Sequence, residues 1–295
     1  MTEVAQNAID ALSLGSLYAL LALGVALIFG IMRLLNFAHG QLIMVGGYAL
    51  WALDGAPAPL QFLGAILIVI SAALFLELVA FRPLRNADPA VLLVSSFAVS
   101  FLMENLALVI FGGRAKGVSL PDWLSDSITV ASLRIPVLSI VSVVAAAVLL
   151  AALALFFNRT SIGIQMRAAA ESFSTARLLG VRANLVSTAA VLIAGVLAAI
   201  VAVLLTVQFP TVTPSFALRE TIIVLAGVVV GGMTRLLSAT LGGFTIGYVS
   251  GLLGGALPTN QSQYLPSFVF GLVILVLLIR PGGLFAGGGA QVERV

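Results

Sequence analysis

The sequence predicts an all-α fold, a polytopic membrane helical bundle of about eight or nine segments, some of them short or discontinuous. Three observations lead there. Of 295 residues, 61% are hydrophobic and only 8% charged, with a mean hydropathy of +1.20. A soluble domain carries about 25% charged residues, so eleven acids and fourteen bases cannot solvate a globule of this size. Apolar runs of spanning length recur along the chain. The polar stretches between them are too short to fold alone, so 1–295 reads as a single membrane domain.

A helix needs roughly 20 apolar residues to cross about 30 Å of hydrocarbon. Leu12–Met32, Leu60–Ala80, Ala90–Phe111, Pro136–Phe157 and Leu185–Val207 reach that length. Gln41–Leu53, Thr221–Met233 with Ser238–Leu257 after it, and Leu265–Ile279 are shorter or broken by glycine. The N-terminal MTEVAQNAID has no basic residue, so the first apolar run is expected to stay in the mature protein. With this acidic N-terminus outside, ten basic residues fall inside: Arg33, Arg82, Arg85, Arg159, Arg167, Arg177, Arg182, Arg235, Arg280 and Arg294. Four, Arg114, Lys116, Arg134 and Arg219, fall outside, in keeping with the positive-inside rule. The basic residues stand singly between apolar runs, which reads as topology and not as a nucleic-acid surface.

The longest inside loop, 158–184, contains an amphipathic stretch. Met166, Ala169, Ala170, Phe173 and Ala176 recur at helical spacing as one apolar stripe. Arg167, Glu171 and Ser174 share another side, and Gly180 suits a left-handed helix terminator. A helix of roughly 14 residues here is too polar to cross and lies at the membrane surface. It rests on lipid headgroups or docks a cytoplasmic subunit. A stripe made mostly of alanine anchors weakly in lipid and packs closely against protein, which favours docking.

Polar residues interrupt the apolar pattern at a few places. In RLLNFAHGQLIMVGGY, Asn36, His39 (the only histidine) and Gln41 follow Arg33. They cap helix ends at the interface, or they stand at the inner mouth of a translocation path, since polar groups at membrane depth face protein or a cavity. GGMTRLLSATLGGFTIGYVSGLL, 231–253, has the same texture: Arg235-Leu236-Leu237 echoes Arg33-Leu34-Leu35, placing Thr234 and Ser238 beside a glycine-rich helix. Broken helices and internal repeats mark the substrate sites of many transporters. Glu77 is expected to pair with Arg82 one turn away or to snorkel. Glu104, deeper in SFLMENLALVIFGG, is a structural group or a proton-relay carboxylate; the structural role is favoured.

The chain resembles the LivH-type permeases of branched-chain amino-acid ABC importers, a family that also includes urea and short-chain amide permeases. The resemblance rests on LNFAHGQLIMVGGY (35–48), FRPLR (81–85), RTSIGIQMRAAAESFSTARLLGV (159–181), VVVGGMTRLLSATLGGFTIG (228–247) and VLLIRPGGLF (276–285). It implies an inner-membrane subunit of an ATP-driven importer. The partners it implies are two cytoplasmic ATPase subunits, a sister LivM-type permease, a periplasmic substrate-binding protein and the surrounding membrane lipid. The family's ATPase-engaging loop maps onto Arg167–Gly180, with Arg167, Ala170, Glu171, Phe173, Ala176, Arg177 and Gly180 as the docking residues. Two departures bear on cargo and coupling: Glu171 is followed by Ser172 where the family commonly has aspartate, and Gly231-Gly232-Met233-Thr234-Arg235 replaces a run of small residues. Branched-chain amino acids are the first reading of the cargo. Urea or a short-chain amide is the second, and a secondary carrier using Glu104 is a rival.

No chemistry of its own is expected. Lys116 is the only lysine, and GGRAKGVS lacks the spacing of a nucleotide-binding loop. One histidine and no cysteine leave no ordinary zinc site, no thiolate nucleophile and no cofactor requirement. Asn36, His39, Gln41, Thr234 and Ser238 are the expected substrate-path residues.

Overall fold

A computed structural model describes residues 2–32, 36–84, 87–130, 133–233 and 235–285. Arg33-Leu34-Leu35, Arg85, Thr234 and Arg294 lie outside the described residues, as does the side chain of Phe173. Among those described there are eleven α-helices: α1 (Thr2–Met32), α2 (His39–Ala52), α3 (Ala58–Leu76), α4 (Pro89–Phe111), α5 (Val137–Arg159), α6 (Ser161–Glu171), α7 (Phe173–Leu178), α8 (Ala183–Gln208), α9 (Leu218–Gly231), α10 (Leu236–Ala256) and α11 (Leu265–Ile279). Four short strands join them: β1 (Lys116–Gly117), β2 (Ser127–Val130), β3 (Leu133–Pro136) and β4 (Thr211–Val212).

Among the described residues, seven helices are long and apolar enough to cross a membrane: α1, α3 with the turn that follows it, α4, α5, α8, α10 and α11. Helices α2 and α9 have 14 residues each, about 21 Å of rise, short of a hydrocarbon core. Of the segments predicted to be short or broken, these two are half-length helices, while α10 and α11 are long enough to cross. The chain forms two compact units, each interrupted in sequence: one of 1–26, 122–146 and 220–295, the other of 27–121 and 147–219.

In the second unit α2 is the core. Eleven of its fourteen residues are buried, consistent with a helix that is apolar all round. Small residues allow the approach: a Cβ at Gly46 would stand 2.6 Å from Ala202 Cβ of α8 and 3.2 Å from Val69 Cγ2 of α3. The end of α2 is tied down inside the protein. Gln61 of α3 donates to the Leu50 carbonyl at 3.1 Å and to the Ser119 carbonyl at 3.2 Å. Free helix-end carbonyls at membrane depth would otherwise be costly. Strands β1 and β4 pair antiparallel, Lys116 opposite Val212, and the Val118 amide donates to the Pro210 carbonyl at 3.1 Å. This ties the segment after α4 to the segment after α8.

In the first unit the packing is glycine-led. Gly243, Gly247, Gly251 and Gly255 recur every four residues along α10 and face Ala22 and Tyr18, Leu14 and Gly15, Ala11, and Asn7 of α1. A Cβ at Gly247 would lie 2.8 Å from the Leu14 carbonyl oxygen and from Tyr18 Cβ. On another side of α10, Gly242 meets Gly227 and Gly231 of α9 backbone to backbone. Such small-residue faces are how membrane helices gain dispersion contacts without a hydrophobic drive. The C-terminal RPGGLF folds onto the end of α9: Gly283 takes φ +94 and the Leu284 amide donates to the Val230 carbonyl at 2.7 Å.

Two expectations change on the structure. Helix α1 begins ten residues before the apolar run. Its polar start is held by Gln6, whose side chain donates to the Arg134 carbonyl at 2.7 Å and accepts from the Arg134 amide at 2.9 Å. Glu77 does not snorkel: it is fully buried, while Arg82 is exposed. Glu77 opens a π-helical turn, Glu77–Phe81, whose backbone takes the Arg82 amide at 2.7 Å.

Candidate functional site

The polar residues before α2 fold as a compact start to a half-length helix. Asn36 is 3% exposed; its Oδ1 accepts from the Ala38 amide at 3.0 Å and its carbonyl from the His39 amide at 3.2 Å. Its side chain thus caps the turn that launches the helix. Gln41, 1% exposed, donates through Nε2 to Ser100 Oγ at 3.1 Å and fastens α2 to α4. His39 is fully buried, and neither ring nitrogen has a hydrogen-bond partner among the described residues. An imidazole in that state is an unspent donor and acceptor.

Thr234 lies outside the described residues. Ser238 belongs to the first turn of α10, is buried, and donates to the Phe285 carbonyl at 3.2 Å. Asn36, His39 and Gln41 come together in one unit, and Ser238 stands in the other.

The loop at 158–184 forms two helices, where the periodicity predicts one. Ser172 has extended backbone and caps the second helix, its Oγ accepting from the Thr175 amide at 3.3 Å. Serine favours caps over helix interiors because its hydroxyl replaces the backbone acceptor. Thr160 starts α6 in the same way, accepting from the Gly163 amide at 3.0 Å. Met166, Ala169 and Ala176 are buried within the chain, so this part of the stripe is core. The outward groups are Arg167, Glu171, Arg177 and Gly180, with Ala170 half-buried. Arg167 donates to Asn158 Oδ1 at 2.8 Å.

Leu178 and Leu179 protrude from this loop, 88% and 80% exposed. They were not picked out from the sequence. A leucine pair just before a helix-ending glycine in a polar loop was the available signal. The ending is a Schellman motif: Gly180 has φ +87, its amide donates to the Arg177 carbonyl at 3.1 Å, and the Val181 amide to the Ala176 carbonyl at 3.0 Å. The turn ends the helix directly after these exposed leucines.

Within the second unit, a cavity of about 380 Å³ opens between α4 and the turns that follow β4, lined by Phe101, Glu104, Asn105, Leu108, Thr213 and Ser215 among others. Residues 101, 104, 105 and 108 form one face of α4 by their spacing. Residues 103, 106, 107 and 110 form another and line an apolar groove against α2. Tyr48 and Phe111 stack there with ring centroids 4.2 Å apart, and Lys116 sits 5.0 Å from the Trp51 ring centroid.

Long apolar helices, half-length helices enclosed within the chain, and a capped helical loop between spans make up the membrane-embedded subunit of a transporter. The chain belongs to the family described as branched-chain amino acid transport system, permease component, which it matches over residues 7–278. It is 31% identical to the high-affinity branched-chain amino acid transport system permease protein BraD of Pseudomonas aeruginosa, over 98% of this chain and 97% of that one. It is 29% identical to the corresponding permease LivH of Salmonella typhimurium, over the same shares. Among solved structures it is similar to a metal-chelate type ABC transporter in an inward-facing conformation (TM-score 0.52, 19% identity, 94% of this chain and 87% of that one). PsaBC from Streptococcus pneumoniae in complex with Fab is another (TM-score 0.50, 14% identity, 96% and 93%). These two likenesses concern the fold alone.

Proposed function

We propose that the chain is the permease subunit of an inner-membrane importer of branched-chain amino acids, driven by ATP hydrolysed on two cytoplasmic partner subunits. A sister LivM-type permease and a periplasmic binding protein complete the assembly. The observation that carries this reading is the match to BraD over 98% of the chain. The N-terminus is periplasmic and the C-terminus cytoplasmic, as the distribution of arginines favours.

The loop at 158–184 is the ATPase dock. Arg167, Ala170, Glu171, Phe173, Ala176, Arg177 and Gly180 build it, and the exposed Leu178 and Leu179 are its apolar anchors, framed by Arg177 and Arg182. An apolar pair inside a charged rim has the anatomy of a protein interface. Asn36, His39, Gln41, Thr234 and Ser238 belong to the substrate path. His39 supports this, because a buried imidazole without a partner gains one when a polar solute passes.

The test is uptake of labelled leucine, urea and acetamide by cells that carry the chain with its partner subunits and lack their own systems. Leucine accumulates, and accumulation stops when the ATPase subunits are inactivated. The isolated chain hydrolyses no ATP. Uptake of urea or acetamide in place of leucine overturns the cargo, and uptake that survives loss of the ATPases overturns the mechanism.

A further inference from the structure

We propose that the cavity between α4 and the turns after β4 is a subsite for the zwitterionic head of an amino acid in transit, with Glu104 receiving its ammonium group. This rests on the reading that the cargo is an amino acid.

Glu104 lies seven residues before the end of α4, about 10 Å along the helix. An ionisable group at membrane depth ordinarily has a partner or faces a polar cavity. Among the described residues Glu104 forms no ion pair or hydrogen bond, and it lines a cavity of about 380 Å³. Lys116, the chain's only lysine, is engaged over the Trp51 ring. The carboxylate is therefore available to a cation from outside the chain.

The remaining lining completes the match. Asn105 donates to the Phe101 carbonyl at 2.8 Å, which fixes its amide. Thr213 and Ser215 supply hydroxyl groups across the cavity that are not used within the described chain, and these can serve a carboxylate. Phe101 and Leu108 offer an apolar wall for a branched side chain. The volume suits a small solute.

The far wall is preorganised. Val212 is held by its pairing with Lys116, and two successive turns follow, Phe216 amide to Thr213 carbonyl at 2.9 Å and Leu218 amide to Ser215 carbonyl at 3.1 Å. Ala217 takes φ +70 to join the second turn to α9. A wall fixed in advance loses little freedom when a solute arrives.

This chemistry separates cargo classes. A carboxylate rewards an ammonium group, which urea and acetamide lack. The experiment uses the assembled transporter with its ATPases and binding protein in proteoliposomes. Glu104→Gln lowers leucine uptake at least tenfold while the ATPase subunits still co-purify, and Glu104→Asp recovers at least a third of the wild-type rate. Because the chain has no cysteine, Ser215→Cys gives this subunit a single thiol, and labelling is read on this subunit after separation from its partners. A cationic thiol reagent labels it, and saturating leucine slows labelling at least fivefold. Leucine uptake by Glu104→Gln within twofold of wild type overturns the subsite, as does Ser215→Cys labelling indifferent to leucine. The labelling arm decides the matter even where Glu104→Gln fails to assemble. Wild-type protein that imports urea and no leucine overturns the cargo reading itself, a result distinct from either.

Discussion

At position 39 the chain buries an imidazole whose two nitrogens find no partner among the described residues. A buried polar group left without a hydrogen bond costs about 1–3 kcal/mol. Local rules broken in this way concentrate at functional sites. His39→Leu, of similar bulk, is therefore expected to hold or raise the melting temperature of the detergent-solubilised chain while cutting leucine uptake by a factor of about ten. Unfolding followed by intrinsic fluorescence, run beside the uptake assay, checks both halves. A variant that loses stability and uptake together gives His39 a packing role only. The sequence made His39 conspicuous as the sole histidine amid apolar residues. Its lack of a partner was not legible, because that depends on what α3, α4 and α8 bring to the start of α2. The same holds for Asn36 and Gln41, whose residue types were visible and whose distinct tasks, capping a turn and tying α2 to α4, were not.

Helices were legible because each apolar run carries its own length signal. The segments expected at Ala90–Phe111 and Leu265–Ile279 differ by a residue at most from α4 and α11. Capping by side chains was harder to read: Ser172 splits one expected helix in two, and Gln6 extends another through a contact 128 residues away in sequence. The glycine ladder of α10 shows how spacing turns into packing. Gly247→Ala puts a methyl 2.8 Å from the Leu14 carbonyl oxygen, and overpacking of this kind costs about 1–3 kcal/mol. Gly271 of α11 has nothing within 4 Å of the same position, so Gly271→Ala gains up to about 1 kcal/mol of helix propensity. Opposite shifts in thermal stability are expected from the same chemical change, read on the purified chain. Equal shifts would mean that the α1–α10 approach is looser than described. In the loop, replacing Leu178 and Leu179 together by serine is expected to leave the fold intact, since both side chains are exposed. It abolishes co-purification of the ATPase subunits; retention of the ATPases in wild-type yield would place the dock elsewhere.

At the scale of the whole chain, the proposed orientation rests on the distribution of basic residues. Alkaline phosphatase fused after Asp122 is expected to be active outside the cell, and a fluorescent protein fused at the C-terminus to fold in the cytoplasm. Reversal of either signal inverts the topology and moves the 158–184 loop away from any ATPase. The class of fold was legible from composition, since a chain with this few charges has no other way to be solvated. The division into two sequence-interrupted units was not, because it depends on pairings between distant segments that no local pattern encodes. The cavity beside Glu104 was missed for the same reason: one wall is a spaced set on α4, and the other is a turn more than a hundred residues later.

Helix α2, fourteen residues long and enclosed by its neighbours, also constrains how the protein is made. A segment this brief partitions poorly into lipid when it leaves the ribosome alone. Only five residues separate it from α3, so the two are delivered to the bilayer as one hairpin. Lengthening that connection would strand α2 in water before α8, synthesised some 130 residues later, arrives to shelter it.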